Sequence, residues 1–313
     1  MQSRNFSLFL LLSVITAFRI SDYNSSFVGA PDIFIIGAHK AGTTFLSGLL
    51  VNYLKLCVQS NGVNEPHFFD QNFNDDGFIR YIDGFKNDDK ITLDATSSYF
   101  RTPIVWDRLK KLYSSDCLRQ KKFILILRAP IVRELSWLSH YFRECKKHDA
   151  PFCSFPGGSS FNDTFHDYVK RTFQDVEDLS GDGFYLQNIQ NLLKVVSRNQ
   201  VFILNFESLF GDKQTDTINR LLYFIGKSPV YSTKELLPYE SSRLSQCEGD
   251  CDAFSFQVLC SDLKFLHETY SKANEGLIDF INFQPFRPIS EPHFLPFTEK
   301  ISRNCTEDYT PRK

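Results

Sequence analysis

The residues Gly37-Ala38-His39-Lys40-Ala41-Gly42-Thr43-Thr44 hold the parts of an anion cradle. Glycines let the backbone turn tightly, and free N–H groups at a helix N-terminus attract phosphate. Thr43 and Thr44 add hydroxyl donors, and Lys40 supplies a point charge. A nucleotide phosphate is the natural occupant. A Walker A loop carries its lysine directly after the last glycine, whereas Lys40 stands two residues before Gly42, which argues against an ordinary nucleotide kinase. Within the cradle His39 reads as solvent-facing.

The elements that must position this loop are legible in the hydrophobic pattern. Asp32 to Gly37 is a short apolar run, and Thr43 to Leu56 continues with helical spacing, giving strand, loop and helix. Ile91 to Leu93, Lys122 to Leu127 and Gln200 to Asn205 read as further strands. Helices are expected over Ile104 to Tyr113, Ile131 to Phe142, Tyr185 to Ser197, Asp212 to Ile225 and Ser261 to Phe280. Near-continuous apolar strands alternating with helices predict an α/β, P-loop-like three-layer fold, with a central parallel sheet flanked by helices. Ligands of such sheets sit beyond the carboxyl ends of the strands, where the first loop lies. One domain over 31–288 is expected, followed by a polar tail over 289–313.

Composition narrows the setting. Aromatics make up 15% of 313 residues and apolar residues 42%, which describes a folded globule. The formal charge of −2 offers no global attraction to nucleic acid, so a polyanion would have to be met by a local basic cleft. Residues 1–20 combine a basic start with an apolar run from Phe6 to Phe18. That run is shorter than the roughly 20 residues of a membrane span and reads as a signal peptide, with a short signal anchor as the alternative. Eight cysteines, an even number without zinc-site spacing, predict disulfides. Acceptor triplets for glycosylation begin at Asn24, Asn162 and Asn304. These features together predict passage through the secretory pathway.

The cradle resembles the 5′-phosphosulfate loop of sulfotransferases that use 3′-phosphoadenosine 5′-phosphosulfate (PAPS), whose usual form is G-x-x-K-G-G-T-T; Ala41 replaces one glycine. Arg128-Ala129-Pro130-Ile131-Val132-Arg133-Glu134-Leu135-Ser136 is similar to the family's 3′-phosphate segment, in which an arginine and a serine eight residues on grip the phosphate. The chemistry agrees, since arginine forks onto phosphate and a helical serine can donate to the same anion. Glu65-Pro66-His67-Phe68-Phe69-Asp70 resembles the K-E-x-H-F-F segment of heparan sulfate 3-O-sulfotransferases, with Asn64 where lysine is common. Asp94-Ala95-Thr96-Ser97-Ser98-Tyr99-Phe100 stands where those enzymes carry T-P-x-Y-F, with Ala95 in place of a lysine. N-acetylgalactosamine 4-sulfate 6-O-sulfotransferases are similar in the same motifs.

The resemblance implies sulfonate transfer from PAPS to a carbohydrate hydroxyl, in the Golgi lumen or at its membrane, with no metal and no nucleic acid. Lys40, Ala41, Gly42, Thr43 and Thr44 would bind the 5′ side, Arg128 and Ser136 the 3′-phosphate, and Arg243 would close a loop over the nucleotide. Glu65 would be the general base, Lys40 would neutralise the leaving oxygen, and His67 would help position base or acceptor. The same residues admit plainer roles. Glu65 before Pro66 suits an exposed turn, and His67 between apolar neighbours suits a hydrogen-bonded, partly buried side chain. Arg133 suits a partner of Glu134 or of a neighbouring helix, and Trp137, Tyr141 and Phe142 suit core packing. In the family a disulfide accompanies the closing loop, which implies Cys247 bridged to Cys251 or Cys260; Cys145 with Cys153 is a further pair. The rival readings are a non-catalytic glycan-binding relative, which the changes at Ala41, Asn64 and Ala95 would suit, and a kinase with a magnesium-binding carboxylate.

Overall fold

A computed structural model describes residues 31–59, 64–85, 91–148, 181–231 and 260–282, together with Val169 and Phe173. Residues 1–20, the three glycosylation triplets, Arg243 and the tail lie outside them, as do the side chains of Tyr141, Phe142, Cys145, Cys153, Cys247, Cys251 and Cys305.

Among the described residues four parallel strands form the sheet, in the order β2-β1-β3-β4: β1 Ile33–Gly37, β2 Leu93–Asp94, β3 Lys122–Leu127 and β4 Val201–Asn205. All five residues of β1 and of β4 are buried, as are the last five of β3. Helices cover both faces, and for that reason the strands read as unbroken apolar runs. Phe34 of β1 stacks on Phe123 of β3 with ring centroids 5.1 Å apart. Chain order reverses at β1, whose next strand lies on one side and whose later partner β3 lies on the other. The carboxyl ends of β1 and β3 therefore frame the crevice where open α/β sheets bind ligands.

Along the chain the helices are α1 Thr43–Leu54, α2 Asp75–Gly84, α3 Ile104–Leu112, α4 Ser115–Gln120, α5 Pro130–His148, α6 Tyr185–Leu193, α7 Phe206–Phe210, α8 Gln214–Phe224, α9 Cys260–Ala273 and α10 Leu277–Asn282. The single helix expected over Ser261 to Phe280 is broken, because the chain turns through Gly276 at φ 74°. Three helices, α2, α4 and the five-residue α7, escaped the periodicity reading. α2 is set by a cap, the Asn74 side chain accepting from Gly77 N at 2.8 Å, and α4 by Ser114 accepting from Cys117 N at 3.2 Å. Disulfides are not found at Cys117 and Cys260, which carry free thiols, while the Cys57 thiol donates to Val58 O at 3.0 Å.

Where β1 ends, the backbone is pressed against the short 3-10 helix Ser97–Tyr99. A Cβ on Gly37 would lie 2.7 Å from Phe100 Cβ and 3.0 Å from Ser97 O. Gly37→Ala is expected to destabilise the fold by about 1–3 kcal/mol through overpacking, read as a lower denaturant midpoint. An unchanged midpoint would show that this junction has slack.

Candidate active site

The loop after β1 is held from below and from the side. Ala38 N donates to Ile126 O at 2.9 Å, and Ala41 N to Ala38 O at 3.1 Å, so the turn is tied to β3 and closed on itself. Ala41 is fully buried, a methyl group filling what the related loop leaves to glycine. Lys40 takes a left-handed backbone, φ 62°, and Gly42 leads into α1 with no side-chain cap on the helix N-terminus. Thr43 is buried and Thr44 is exposed on its first turn. Uncapped N–H groups at the start of a helix this long are a standing attraction for an anion.

Arg128, on the exit of β3, closes the crevice. Its Nη1 donates to Lys40 O at 2.8 Å, and its guanidinium carbon stands 4.2 Å above the Phe206 ring. Tyr185 OH fixes the main chain there by donating to Arg128 O at 2.6 Å. Burial pulls the guanidinium below the ordinary arginine pKa, with the Glu207 charge acting the other way. Arg128 Nε is buried with no hydrogen-bond partner. A desolvated cation with an unanswered N–H is costly by itself and is satisfied by an anion beside it. Thus the two segments expected to bind phosphate are in direct contact. Ser136 lies half-buried on α5, the helix that Pro130 opens just after Arg128.

His39 does not face solvent. Its Nδ1 is 3.0 Å from Asp182 Oδ2 and its ring packs 5.3 Å from Trp137. Asp182 also meets Arg101 Nη1 at 3.4 Å and Arg133 Nη1 at 4.0 Å. Arg133 pairs with Glu134, and Tyr270 OH donates to Glu134 Oε2 at 2.9 Å. A buried chain of charges therefore ties the phosphate loop to α5 and α9. Burial alone would raise the Asp182 pKa, but the His39 hydrogen bond and the His39, Arg133 and Arg101 charges bring it down to about 2. An unfolded aspartate titrates near 3.9, so this pairing stabilises fully above about pH 4 and is lost as pH falls towards 2. Asp182→Asn is expected to destabilise the protein at pH 7 by about 3 kcal/mol and to flatten the acid limb of its stability curve. Parallel acid limbs in the two proteins would refute this.

Glu65 reaches the crevice through Ser97. Ser97 Oγ lies 3.1 and 3.3 Å from the two Glu65 oxygens, and Ser97 O is among the atoms packed on Gly37. The Glu65 side chain keeps 32% of its surface exposed and so is open to solvent. His67 Nε2 stands 3.5 Å from Glu65 Oε2, and Nδ1 stands 3.0 Å from Asp70 Oδ2. The Asp70 hydrogen bond raises the His67 pKa above its ordinary value, against burial and with help from the Asp70, Glu65 and Asp94 charges. Burial pushes Asp70 up, but the hydrogen bonds from His67 and Ser98 bring it below the usual carboxylate range. Phe68 and Phe69, both buried, anchor the segment in an aromatic cluster with Tyr81 and Tyr99. Each such ring contributes about 1.5–3 kcal/mol by its burial.

Asp182, Ser97 and Asp70 were not singled out from sequence. Ser97 and Asp70 sat inside motifs already noticed, whereas Asp182 precedes Gly183-Phe184-Tyr185 with no local pattern to mark it.

The strand-loop-helix cradle at the switch point, facing a half-buried arginine, defines an α/β protein of P-loop-like fold with an anion cradle. Residues 30–252 match the model of the sulfotransferase domain, and the chain belongs to that family. A crystal structure of a sulfotransferase from Alicyclobacillus acidocaldarius shares the fold: 20% identity over 82% of this chain and 97% of the other, with a TM-score of 0.55. Mouse sulfotransferase SULT7A1 complexed with PAP shows 12% identity over 84% of this chain and 90% of its own, at a TM-score of 0.49. The sulfotransferase domain of the curacin biosynthetic pathway shows 14% identity, coverages of 68% and 79%, and a TM-score of 0.40. No curated protein matches the chain in sequence.

Proposed function

We propose that this sulfotransferase moves a sulfonate group from PAPS to a hydroxyl of a carbohydrate acceptor, of glycosaminoglycan or related type. The observation that carries the reading is the contact of Arg128 with Lys40 O across the crevice between β1 and β3, beside an uncapped helix N-terminus. Two grips on neighbouring strands suit a nucleotide with phosphate at both its 3′ and 5′ positions. Arg128 and Ser136 hold the 3′-phosphate, and the Gly42, Thr43 and Thr44 stretch holds the 5′ side. The orphaned Arg128 Nε supports this assignment, because a phosphate oxygen would satisfy it.

Glu65 takes the proton of the acceptor hydroxyl as its oxygen bonds to sulfur. The bond from sulfur to the bridging phosphate oxygen breaks, and Lys40 neutralises the charge left on that oxygen. Such a transfer makes few demands beyond alignment and charge relief, so positioning carries most of the rate. His67, whose pKa the Asp70 hydrogen bond raises, faces the Glu65 carboxylate through Nε2 at 3.5 Å and helps orient it. The reaction is set in the secretory pathway, in the Golgi lumen or on its membrane through the N-terminal apolar segment.

The test is incubation of the full chain with sulfur-labelled PAPS and a panel of glycans and tyrosine peptides, followed by mass analysis. Label on a glycan hydroxyl is the expected product. Label only on tyrosine would overturn the acceptor class, and no calorimetric affinity for adenosine 3′,5′-bisphosphate would overturn the whole reading.

A further inference from the structure

We propose that Asp94 is a positioning residue for transfer, a buried hub that fixes the backbone carrying Glu65 and His67 through the hydroxyls of Thr96 and Tyr99. The inference rests on the reading of Glu65 as the base.

Asp94 ends β2 and is inaccessible to solvent. One carboxylate oxygen accepts from Thr96 N at 3.0 Å and Thr96 Oγ1 at 2.6 Å. The other accepts from Tyr81 OH at 2.8 Å and Tyr99 OH at 3.0 Å. A carboxylate is an expensive choice for the interior, tolerated only where its lone pairs are met. Here four donors meet it, and two of them lead on to the segment that holds the base.

Thr96 Oγ1 lies 3.3 Å from His67 N, and Tyr99 OH lies 3.2 Å from Phe68 N and 3.3 Å from Phe69 N. A hydroxyl has one proton. Once Thr96 and Tyr99 give theirs to Asp94, only lone pairs remain to face those amides, so the carboxylate sets the polarity of both contacts. Three consecutive N–H groups are pinned in this way, and Ala95 N donates to Asn64 O at 3.0 Å just before them. The pinned run includes a strained residue: His67 has φ 52°, a left-handed backbone for a side chain with a Cβ. Such conformations persist only where the surroundings over-determine them. The left-handed turn at His67 carries its ring between Glu65 and Asp70, so releasing the amides releases that geometry.

The experiment uses Asp94→Asn, Thr96→Val and Thr96→Ser in the full chain, with Glu65→Gln as reference. Asp94→Asn and Thr96→Val are each expected to lower kcat about 10- to 100-fold, the scale of misplacing a catalytic group by about 1 Å. The KM for PAPS stays within twofold of the unmodified protein, and Thr96→Ser, which keeps the hydroxyl, recovers most of the rate lost in Thr96→Val. Thr96→Val alters no charge and nearly conserves volume, so it also serves where Asp94→Asn does not fold. In that variant the His67 midpoint, followed by proton NMR, falls towards the ordinary histidine value. A folded Thr96→Val protein with normal kcat and an unmoved His67 midpoint overturns the proposal, as does a rate loss that Thr96→Ser leaves unrepaired. If instead Glu65→Gln retains full activity, the base assignment fails, while the His67 shift in Thr96→Val still reports the hub.

Discussion

Glu65→Gln is expected to reduce sulfonate transfer by about 10²–10⁴-fold, the usual worth of a general base, while the affinity for adenosine 3′,5′-bisphosphate stays nearly unchanged. The separation follows from where the side chain sits. Glu65 is held by Ser97 and faced by His67, whereas the contacts that frame the phosphate crevice run from Ala38 to Ile126 and from Arg128 to Lys40. Glutamine keeps an oxygen for Ser97 Oγ but cannot take a proton. Single-turnover kinetics with labelled donor, set beside calorimetry with the bisphosphate, read the two quantities separately. Equal loss of binding and turnover would sink the assignment of Glu65 as the base.

Arg128→Ala is expected to act the opposite way, weakening bisphosphate binding about 10- to 100-fold, in line with about 1.5–3 kcal/mol for a hydrogen bond to a charged group. Arg128 also donates to Lys40 O and covers the Phe206 ring, so part of the loss comes from a loosened loop. Arg128→Lys separates the contributions. It keeps a charge but lacks the planar fork, and an ammonium cannot serve Lys40 O and a phosphate in the same geometry. Binding that falls most of the way in Arg128→Lys supports a forked grip, and binding that survives in both variants refutes it. Omission of 3′-phosphate from the nucleotide should shrink the difference between the unmodified protein and Arg128→Ala to the part owed to the loosened loop.

The architecture was readable in the chain because it rests on short-range rules. All four strands were marked by apolar runs, and the loop between β1 and α1 by its glycines, lysine and threonines. Arg128 was marked by the resemblance of its segment to the family's 3′-phosphate grip, and it stands directly after the Lys122–Leu127 run, at the end of a parallel strand. What local pattern did not carry was weaker in periodicity: α2 and α4 depend on the Asn74 and Ser114 caps, and the last long helix is split at Gly276.

The partners of the charged residues belong to the tertiary structure alone. His39 looked solvent-facing, yet the fold brings Asp182 to it from 143 positions away, together with Arg101 and Arg133. Asp94 looked like one polar residue in a motif, and became the centre on which Thr96, Tyr81 and Tyr99 converge. The sheet, the cradle and the kinds of residue that line it follow from local sequence, since strand propensity, glycine turns and charge are written within a few neighbours. Which buried charges face one another follows from long-range packing, because a carboxylate in a low-dielectric core is tolerated wherever distant donors are packed around it.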